Sequence, residues 1–154
     1  MVSGAGTTIL LVEDDQNDVF FLQYAFQEAG ISNPLQVAAD GQQAIDYLEG
    51  NGAYSDRSRF PFPGLVLLDL KLPVKMGLDV LHWVRNQTQL QHLLVIVLTS
   101  SSNIRDVDDA YRLGARAFLV KPVSTDKRIE MARAIKQFWL GLNEPSSLGP
   151  GGPE

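Results

Sequence analysis

The sequence predicts an α/β fold, in which a doubly wound parallel sheet of five strands is covered by helices on both faces. Short apolar runs alternate five times with segments whose apolar residues recur at three- and four-residue steps, as they do along a helix. Three of the apolar runs contain almost no polar position, which is typical of strands buried on both faces of a parallel sheet. Right-handed crossovers between parallel strands then favour the doubly wound arrangement.

The five strand–helix units are predicted within one domain that spans residues 8–143, because 154 residues suit one domain with a substantial core. Asp15 is a candidate cap for the first helix, which ends before Gly30, and Ser124 is a candidate cap for the last. The strands are predicted at residues 9–12, 34–38, 65–68, 93–98 and 117–120, and the helices between residues 15 and 30 and at 41–49, 78–87, 104–113 and 124–142.

Three segments are predicted to lie outside these elements. Residues 1–7 are small and polar and are predicted to be a flexible N-terminus. Residues 144–154 hold too little apolar surface to offset their ordering entropy, which predicts a disordered tail. Residues 50–64 contain glycine, serine and two prolines and form a long connection. In the last helix, the predicted apolar stripe consists of Met131, Ile135, Phe138 and Leu142.

The composition argues against several kinds of site and partner. The chain has 13 lysine and arginine residues against 18 aspartate and glutamate residues, and this net charge of −5 disfavours binding to nucleic acid or anionic lipid. The absence of cysteine excludes disulfides and thiolate metal sites. No apolar run approaches the roughly 20 residues of a membrane helix, and the first residues lack the pattern of a signal peptide. We therefore expect a cytoplasmic protein whose partners include neither nucleic acid nor a membrane.

Residues capable of chemistry stand at the carboxyl ends of four predicted strands, where ligands bind in open α/β sheets. Glu13 and Asp14 follow the first strand, Asp69 the third, Thr99 the fourth and Lys121 the fifth. In the commonest order for five strands the first and third are neighbours, so the three carboxylates would meet. Carboxylates that close repel each other unless a cation joins them. A hard divalent ion with oxygen ligands, Mg²⁺ or Mn²⁺, is therefore the expected cofactor.

The same five residues suit the transfer of a phosphoryl group. The metal ion would neutralise charge on the phosphoryl oxygens, an ammonium would pair with one oxygen, and a hydroxyl would donate to another. A central carboxylate can act as the nucleophile and form an acyl phosphate. Each residue alone has a plainer interpretation, since an aspartate at a strand end is most often a cap and a lysine there is most often solvated. Their joint occurrence at one edge of one sheet carries the prediction.

Four short motifs contain these residues: Leu11–Asp14 (LVED), Leu67–Pro73 (LLDLKLP), Leu98–Ser100 (LTS) and Leu119–Pro122 (LVKP). With these motifs the chain resembles the receiver domains of bacterial two-component systems, the CheY-like family. The resemblance covers residues 8–142 and implies a flavodoxin-like (β/α)5 fold with strand order 2-1-3-4-5.

The resemblance implies a role for each carboxylate of the predicted site. Asp69 would be the phosphoacceptor. Asp14 would bind the metal ion directly, and Glu13 would help to hold it, through a water molecule. Asp69 and the backbone carbonyl of Lys71 would complete the ligands that the protein supplies to the metal.

The resemblance also implies roles for residues of the fourth and fifth strands. Thr99 would be the switch hydroxyl that turns toward the phosphoryl group, and Lys121 would pair with that group. Phe118 occupies the position of an aromatic switch that is often tyrosine in the family. The Lys121–Pro122 peptide bond would be cis, a form that a tertiary amide makes accessible.

Partners follow from the same resemblance. A histidine kinase would donate the phosphoryl group. Residues 50–64 and Leu78–Arg85 resemble those of a subgroup of single-domain regulators that work with bacterial phytochromes. The chain would signal to an unknown downstream protein by contact, with no enzymatic activity beyond self-catalysed phosphotransfer and dephosphorylation. A homodimer through the face of helix 4, strand 5 and helix 5 is a further expectation, because Tyr111 and Trp139 are expected to be partly exposed there.

Other functions fit the residues less well. A hydrolase of the haloacid-dehalogenase kind needs a second acid two residues after its aspartyl nucleophile, where this chain has Lys71 or Gln16. A dinucleotide-binding domain would carry its glycines after the first strand, whereas the Gly-Ala-Gly run at residues 4–6 precedes that strand. A degenerate receiver used only for docking remains an alternative. His82 and His92 are expected to be solvated or packing residues rather than phosphodonors.

Overall fold

The computed structural model describes residues 6–100 and 103–140, and within these ranges strands and helices alternate as predicted. The strands are β1 (Ile9–Val12), β2 (Leu35–Ala38), β3 (Leu65–Leu68), β4 (Leu94–Thr99) and β5 (Ala117–Val120). The helices are α1 (Gln16–Glu28), α2 (Gly41–Glu49), α3 (Gly77–Arg85), α4 (Ile104–Arg112) and α5 (Thr125–Ile135), with one π-helical turn after α5 (Lys136–Leu140). The strands are all parallel and lie in the order β2-β1-β3-β4-β5. The predicted doubly wound fold and its strand order are confirmed.

The three central strands are those with the most continuous apolar sequence. Every residue of β1 and β3 is buried, and in β4 only the first residue is partly exposed. The edge strands β2 and β5 are buried less completely. A central strand of a parallel sheet needs apolar side chains on both faces, which is why the apolar runs predicted these strands well.

Helices cover the two faces of the sheet and form two separate apolar cores. Helices α2, α3 and α4 pack on one face, where β1 contributes Leu10 and Val12. Helices α1 and α5 pack on the other face, where β1 contributes Ile9 and Leu11. Alternate residues of one strand therefore point into opposite cores. This packing fixes the strands from both sides and holds their carboxyl ends in place.

The strand register brings the carboxyl ends of neighbouring strands to one edge of the sheet. Val12 of β1 pairs with Leu68 of β3, and Thr99 of β4 pairs with Val120 of β5. The next residues along the chain, at positions 13, 69 and 121, therefore leave the sheet at the same edge. The fold thus places the predicted chemistry in one region.

The end of the last helix differs from the regular helix that the sequence predicts. Trp139, expected to be partly exposed, is buried with 1% of its surface accessible, and Phe138, expected in the apolar stripe, is 50% exposed. In the π-helical turn each residue advances less around the axis than in an α-helix, so Trp139 follows Ile135 on the inner face. The predicted continuation to Leu142 lies outside the described residues.

The long connection between α2 and β3 contains structure that its composition does not predict. Gly52–Ser55 forms a short 3₁₀ turn. Tyr47, Tyr54 and Phe60 form an aromatic cluster with ring centroids 5.0 to 6.0 Å apart. The guanidinium of Arg57 lies 5.7 Å from the centroid of the Tyr47 ring. The connection is thus packed onto α2 through aromatic contacts.

The two predicted flexible ends lie largely outside the described residues. Of the predicted N-terminal segment, Gly6 and Thr7 are described, and the backbone oxygen of Thr7 accepts a hydrogen bond from Asn33 Nδ2 (2.9 Å). The predicted tail at residues 144–154 falls entirely outside. Within residues 6–100 and 103–140 the structure contains no helix with the length and hydrophobicity of a membrane span.

Candidate functional site

Three carboxylates meet at the carboxyl edge of the sheet, where the sequence predicts a metal site. Glu13 and Asp14 follow β1, Asp69 follows β3, and one oxygen of each lies within 4.8 Å of the others. We call these three residues the acidic cluster. Glu13 and Asp69 are only 4% and 6% exposed, whereas Asp14 is open to solvent. Such a donor set suits a hard divalent ion that keeps several of its water ligands.

Lys121 reaches the acidic cluster from β5, across the end of β4. Its Nζ donates hydrogen bonds to Oδ2 of Asp69 (2.9 Å), to Oδ2 of Asp18 (2.9 Å) and to Oε1 of Glu13. Its backbone N–H donates to the carbonyl oxygen of Thr99 (2.8 Å), which fixes the base of the side chain beside β4. An ammonium has three N–H donors, and here each is matched by one carboxylate.

Burial and ion pairing oppose each other at the charged groups of the site. Burial raises the pKa of Glu13 above its ordinary value, although hydrogen bonds from Lys121 and from the backbone N–H of Asp15 lower it in part. Burial alone would lower the pKa of Lys121. Hydrogen bonds to three carboxylates outweigh this effect and raise the pKa above its ordinary value, and the hydrogen bond to Glu13 contributes most. Lys121 therefore remains an ammonium at neutral pH. Its one positive charge stands against four carboxyl groups, which favours the binding of a divalent cation.

Asp18 is an acidic residue of the site that the sequence motifs do not single out. It lies in the first turn of α1, where Oδ1 of Asp15 accepts hydrogen bonds from the backbone N–H groups of Asn17 (2.8 Å) and Asp18 (3.2 Å). This cap fixes the turn that carries the Asp18 carboxylate to Lys121. The sequence signal was weak, because an acid in the first turn of a helix is favourable with or without a partner.

The loop that follows Asp69 folds back closely against it. The N–H of Gly77 donates to the carbonyl oxygen of Leu70 (2.9 Å), and a Cβ at Gly77 would lie 2.2 Å from the carbonyl oxygen of Asp69, so only glycine fits. The backbone N–H of Lys71 donates to Oδ1 of Asp69 (3.2 Å). In the same loop Val74 has a φ of 67°, a left-handed conformation that is uncommon for a β-branched residue. Backbone strain of this kind is often found beside functional groups.

Thr99 and Phe118 lie on β4 and β5, the two strands on one side of β3. Thr99, the last residue of β4, is fully buried at the edge that carries the acidic cluster. Phe118 on β5 is half-buried and packs against the core under α2, α3 and α4. Its backbone N–H donates to the hydroxyl of Tyr111 on α4 (3.1 Å), and Tyr111 is 50% exposed. A tyrosine hydroxyl therefore links α4 to β5, although phenylalanine occupies the predicted switch position.

The Lys121–Pro122 peptide bond is not cis, contrary to the expectation from the resemblance. The trans form of an X–Pro bond is more stable by about 0.5–1 kcal/mol. With the trans bond, Lys121 Nζ already contacts three carboxylates. The described arrangement therefore does not require the cis form.

The two histidines are exposed and belong to other parts of the molecule. His92 precedes β4, at the amino-terminal edge of the sheet. His82 lies on α3, where its Nδ1 is 3.2 Å from Asn86 Nδ2. Of the two expected roles, solvated or packing residue, the exposure of both side chains fits the solvated one.

Comparison with known proteins relates the chain to response regulators. A protein-family model of the response regulator receiver domain matches residues 9–133. The probable methanogenesis regulatory protein FilR2 of Methanothrix harundinacea is 37% identical over 145 residues, which cover 92% of this chain and 88% of FilR2. The response regulator Rcp1 of Synechocystis sp. is 36% identical over 132 residues, which cover 86% of this chain and 88% of Rcp1.

Solved structures of response regulators share the fold. The bacteriophytochrome response regulator RtBRR is 43% identical with a TM-score of 0.73, and the match covers 96% of this chain and 87% of RtBRR. The Mn²⁺-bound form of Rcp1 is 35% identical with a TM-score of 0.78, and the match covers 87% of this chain and 94% of Rcp1. The phosphorylated cyanobacterial phytochrome response regulator RcpA is 30% identical with a TM-score of 0.82, and the match covers 90% of this chain and 96% of RcpA.

Sequence family, fold and site geometry agree. The matched residues 9–133 extend from β1 into α5 and contain the acidic cluster, Asp18 and Lys121. The Mn²⁺ in Rcp1 and the acidic cluster here support the expected cofactor, which is Mg²⁺ or Mn²⁺. These observations place the protein in two-component signalling as a response regulator, and the chain belongs to the response regulator receiver domain family.

Proposed function

We propose that this chain accepts a phosphoryl group on Asp69 from a histidine kinase. The position of the Asp69 carboxylate carries the proposal, because β3 is the middle strand of the sheet. Asp69 leaves the sheet between β1, which is followed by Glu13 and Asp14, and β4, which ends at Thr99; Lys121 reaches the site from β5, with its Nζ 2.9 Å from Asp69 Oδ2. A phosphoryl group on this oxygen atom would have both the proposed metal ligands and an ammonium beside it.

Four groups would hold the divalent ion: the carboxylates of Glu13, Asp14 and Asp69 and the backbone carbonyl of Lys71. Bound there, the ion supplies positive charge that offsets the charge of the phosphoryl oxygens. The hydrogen bond from the Lys71 N–H to Asp69 Oδ1 supports the role of Lys71, because it keeps this part of the loop beside the carboxylate. The Lys71 side chain is exposed, so its backbone alone serves the site.

In the transfer step, a carboxylate oxygen of Asp69 attacks the phosphorus atom of a phosphohistidine. The O–P bond forms as the N–P bond breaks, and the electron pair of the broken bond stays on the imidazole nitrogen. Lys121 remains protonated and transfers a hydrogen bond from the Asp69 oxygen to a phosphoryl oxygen. The Thr99 hydroxyl turns and donates to another phosphoryl oxygen. The product is an acyl phosphate, and we propose no enzymatic activity beyond this self-catalysed transfer and its hydrolysis.

The signal would pass from Thr99 and Lys121 through Phe118 to the face formed by α4, β5 and α5. New contacts of the phosphoryl group would shift an equilibrium between two arrangements of this face. The half-exposed side chains of Tyr111 and Val120 support a contact surface for an unknown downstream protein or for a second copy of the chain. Light scattering with and without phosphodonor tests the homodimer, and an unchanged monomeric mass in both states would exclude it.

A bacterial phytochrome is the kinase that we propose as the donor, and the proposal includes a cytoplasmic location beside that kinase. Its support is the similarity to RtBRR, a bacteriophytochrome response regulator, and to RcpA, a cyanobacterial phytochrome response regulator. Phosphotransfer from a purified bacteriophytochrome, compared with an unrelated histidine kinase at equal concentration, tests the pairing. Equal transfer from both kinases would count against it.

Labelling with a small phosphodonor tests the phosphoacceptor directly. Incubation with Mg²⁺ and acetyl phosphate should add one phosphoryl group to the intact protein at Asp69, and EDTA should prevent the addition. Asp69→Asn should not be labelled, whereas Asp126→Asn, at an exposed position in α5, should be labelled like the parent. Equal labelling of Asp69→Asn would overturn the proposal, and sustained turnover of phosphate esters would indicate a hydrolase instead.

A further inference from the structure

Lys121 has three carboxylate partners, and one of them does not belong to the acidic cluster. Glu13 and Asp69 are members of the cluster, whereas Asp18 reaches the ammonium from α1. The distance from Asp18 Oδ2 to Lys121 Nζ is 2.9 Å, the same as that from Asp69 Oδ2. Asp18 is therefore a full hydrogen-bond partner and not a distant charge.

The three partners would have different fates during phosphotransfer as proposed above. A metal ion bound to the acidic cluster would partly neutralise the Glu13 carboxylate and so weaken its pairing with Lys121. The phosphoryl group would convert the Asp69 carboxylate into an acyl phosphate. Asp18 would keep its charge throughout. Of the three contacts, the one to Asp18 is the one that neither event removes.

The ammonium of Lys121 has space into which it could turn. A cavity of about 30 Å³ lies between α1 and α5, and its lining includes Asp18, Leu22, Lys121 and Met131. A cavity of this size has room for water. A lysine side chain is long and flexible, so a lysine that lost two partners beside such a cavity would adopt several positions.

The backbone of Asp18 is held in place by hydrogen bonding and by the packing of α1, so its carboxylate can hold the Lys121 ammonium in position. Its backbone N–H is bonded to the capping carboxylate of Asp15 (3.2 Å), and α1 packs beside α5 in one core. We propose that Asp18 is a positioning residue, which holds the Lys121 ammonium toward Asp69 while the phosphoryl group arrives. This proposal rests on the proposed function of Asp69 and adds a residue that acts through Lys121 without touching the phosphoryl group.

The test is a double-mutant cycle on the rate of self-phosphorylation by acetyl phosphate at saturating Mg²⁺, followed by intact mass. Asp18→Ala should lower the rate about tenfold, and Asp18→Asn, which keeps an oxygen acceptor but no charge, should lower it about threefold. In a Lys121→Met background, Asp18→Ala should have no further effect. Asp79→Asn is the matched control, because Asp79 lies at the same position in the first turn of α3 and should leave the rate unchanged.

Two further measurements separate positioning from other roles. Mg²⁺ affinity should change less than twofold in Asp18→Asn, whereas Asp14→Asn should weaken it strongly; equal weakening would make Asp18 a metal ligand and overturn the proposal. Affinity for beryllofluoride, which mimics the bound phosphoryl group, should fall with the rate. A parent-like rate in Asp18→Ala, or an equal loss in the Lys121→Met background, would also overturn it. If the parent itself is not labelled on Asp69, the proposed function fails first.

Discussion

Two half-buried cations, Lys121 and Arg57, each bind three oxygen acceptors, but the acceptors differ in kind. Lys121 Nζ binds three carboxylates at the carboxyl edge of the sheet. Arg57 binds three backbone carbonyls: its Nη1 donates to Tyr47 O (2.8 Å) and Phe60 O (3.2 Å), and its Nη2 donates to Leu48 O (3.1 Å).

The difference shows which of the two regions can change state. Backbone carbonyls at the end of α2 are fixed and neutral, and the planar guanidinium matches them while lying over the Tyr47 ring. Carboxylates can bind a metal ion or become phosphorylated, and a flexible ammonium can exchange one oxygen for another. We therefore expect Lys121 to control the chemistry of the chain and Arg57 to control its stability.

The largest effect is expected at Lys121. Lys121→Met should lower the rate of phosphorylation by acetyl phosphate about 100-fold at saturating Mg²⁺, because the ammonium no longer stabilises the developing charge. Lys127→Met is the control, since Lys127 is exposed and pairs only weakly with Glu130 (3.7 Å). It should keep the parent rate within about twofold. An equal loss in both variants would remove the distinction between Lys121 and a surface charge.

The next effect is expected at Arg57. Arg57→Ala should lower the free energy of unfolding by about 2 kcal/mol, because it removes hydrogen bonds to three backbone carbonyls and the contact of the guanidinium with the Tyr47 ring. The phosphorylation rate should not change, which would separate the two cations. Chemical denaturation measures the effect. Arg59→Ala is the control, because Arg59 is exposed and its guanidinium lies 5.3 Å from the Phe60 ring centroid; this substitution should lower the free energy of unfolding by less than about 0.5 kcal/mol. Slower phosphorylation of Arg57→Ala would contradict the assignment of chemistry to Lys121 and of stability to Arg57.

The Tyr47 hydroxyl sharpens the comparison through its pH dependence. It donates to the carbonyl oxygen of Pro61 (2.8 Å), so Tyr47→Phe should cost about 1 kcal/mol at neutral pH. Burial raises the pKa of Tyr47 above its ordinary value of 10.0, so the neutral form favours the fold. The stabilisation by the neutral Tyr47 hydroxyl is complete below pH 10. It declines as the pH rises from 10 through the raised pKa, because in this range Tyr47 ionises in the unfolded chain before it ionises in the folded protein. Urea denaturation of both proteins should show their stabilities converging above pH 10, and a constant difference would contradict the assignment.

The smallest effect is expected at Val74, in the loop after Asp69. Val74→Gly should raise the free energy of unfolding by about 0.5 kcal/mol, because relief of the left-handed backbone outweighs the added flexibility of glycine in the unfolded chain. Val123→Gly is the control, since Val123 is 92% exposed and has no positive φ, and it should be destabilising. Thermal unfolding of the pair measures the difference, and a destabilised Val74→Gly would show that the loop is not strained.

Local sequence predicted the elements well where the physical cause is local. The strand bounds agree within one residue, because continuous apolar runs are required wherever both faces of a strand are covered. Asp15 and Ser124 cap α1 and α5 as expected. The predictions for Phe138 and Trp139 were wrong because of the π-helical turn. The period of an α-helix places Phe138 on the buried face, whereas the larger number of residues per turn in a π-helix moves Phe138 outward.

The site shows the same limit. Glu13, Asp14 and Asp69 were predictable together because they follow strands whose adjacency is set by the common topology of such sheets. Asp18 was not predictable, because its role depends on the reach of Lys121, which lies 103 positions away in the chain. The trans bond before Pro122 also differs from expectation, and the sequence alone carries no signal that decides between the two isomers.

The sequence by itself determined the sheet, its two covered faces and the residue types at the carboxyl edge, since apolar periodicity and strand-end positions are local properties. Only the tertiary structure decided which charges share a hydrogen bond, how the connection between α2 and β3 packs on Tyr47, and where Trp139 lies. These outcomes depend on distances between segments remote in the chain, and those distances exist only after the helices have packed on both faces of the sheet.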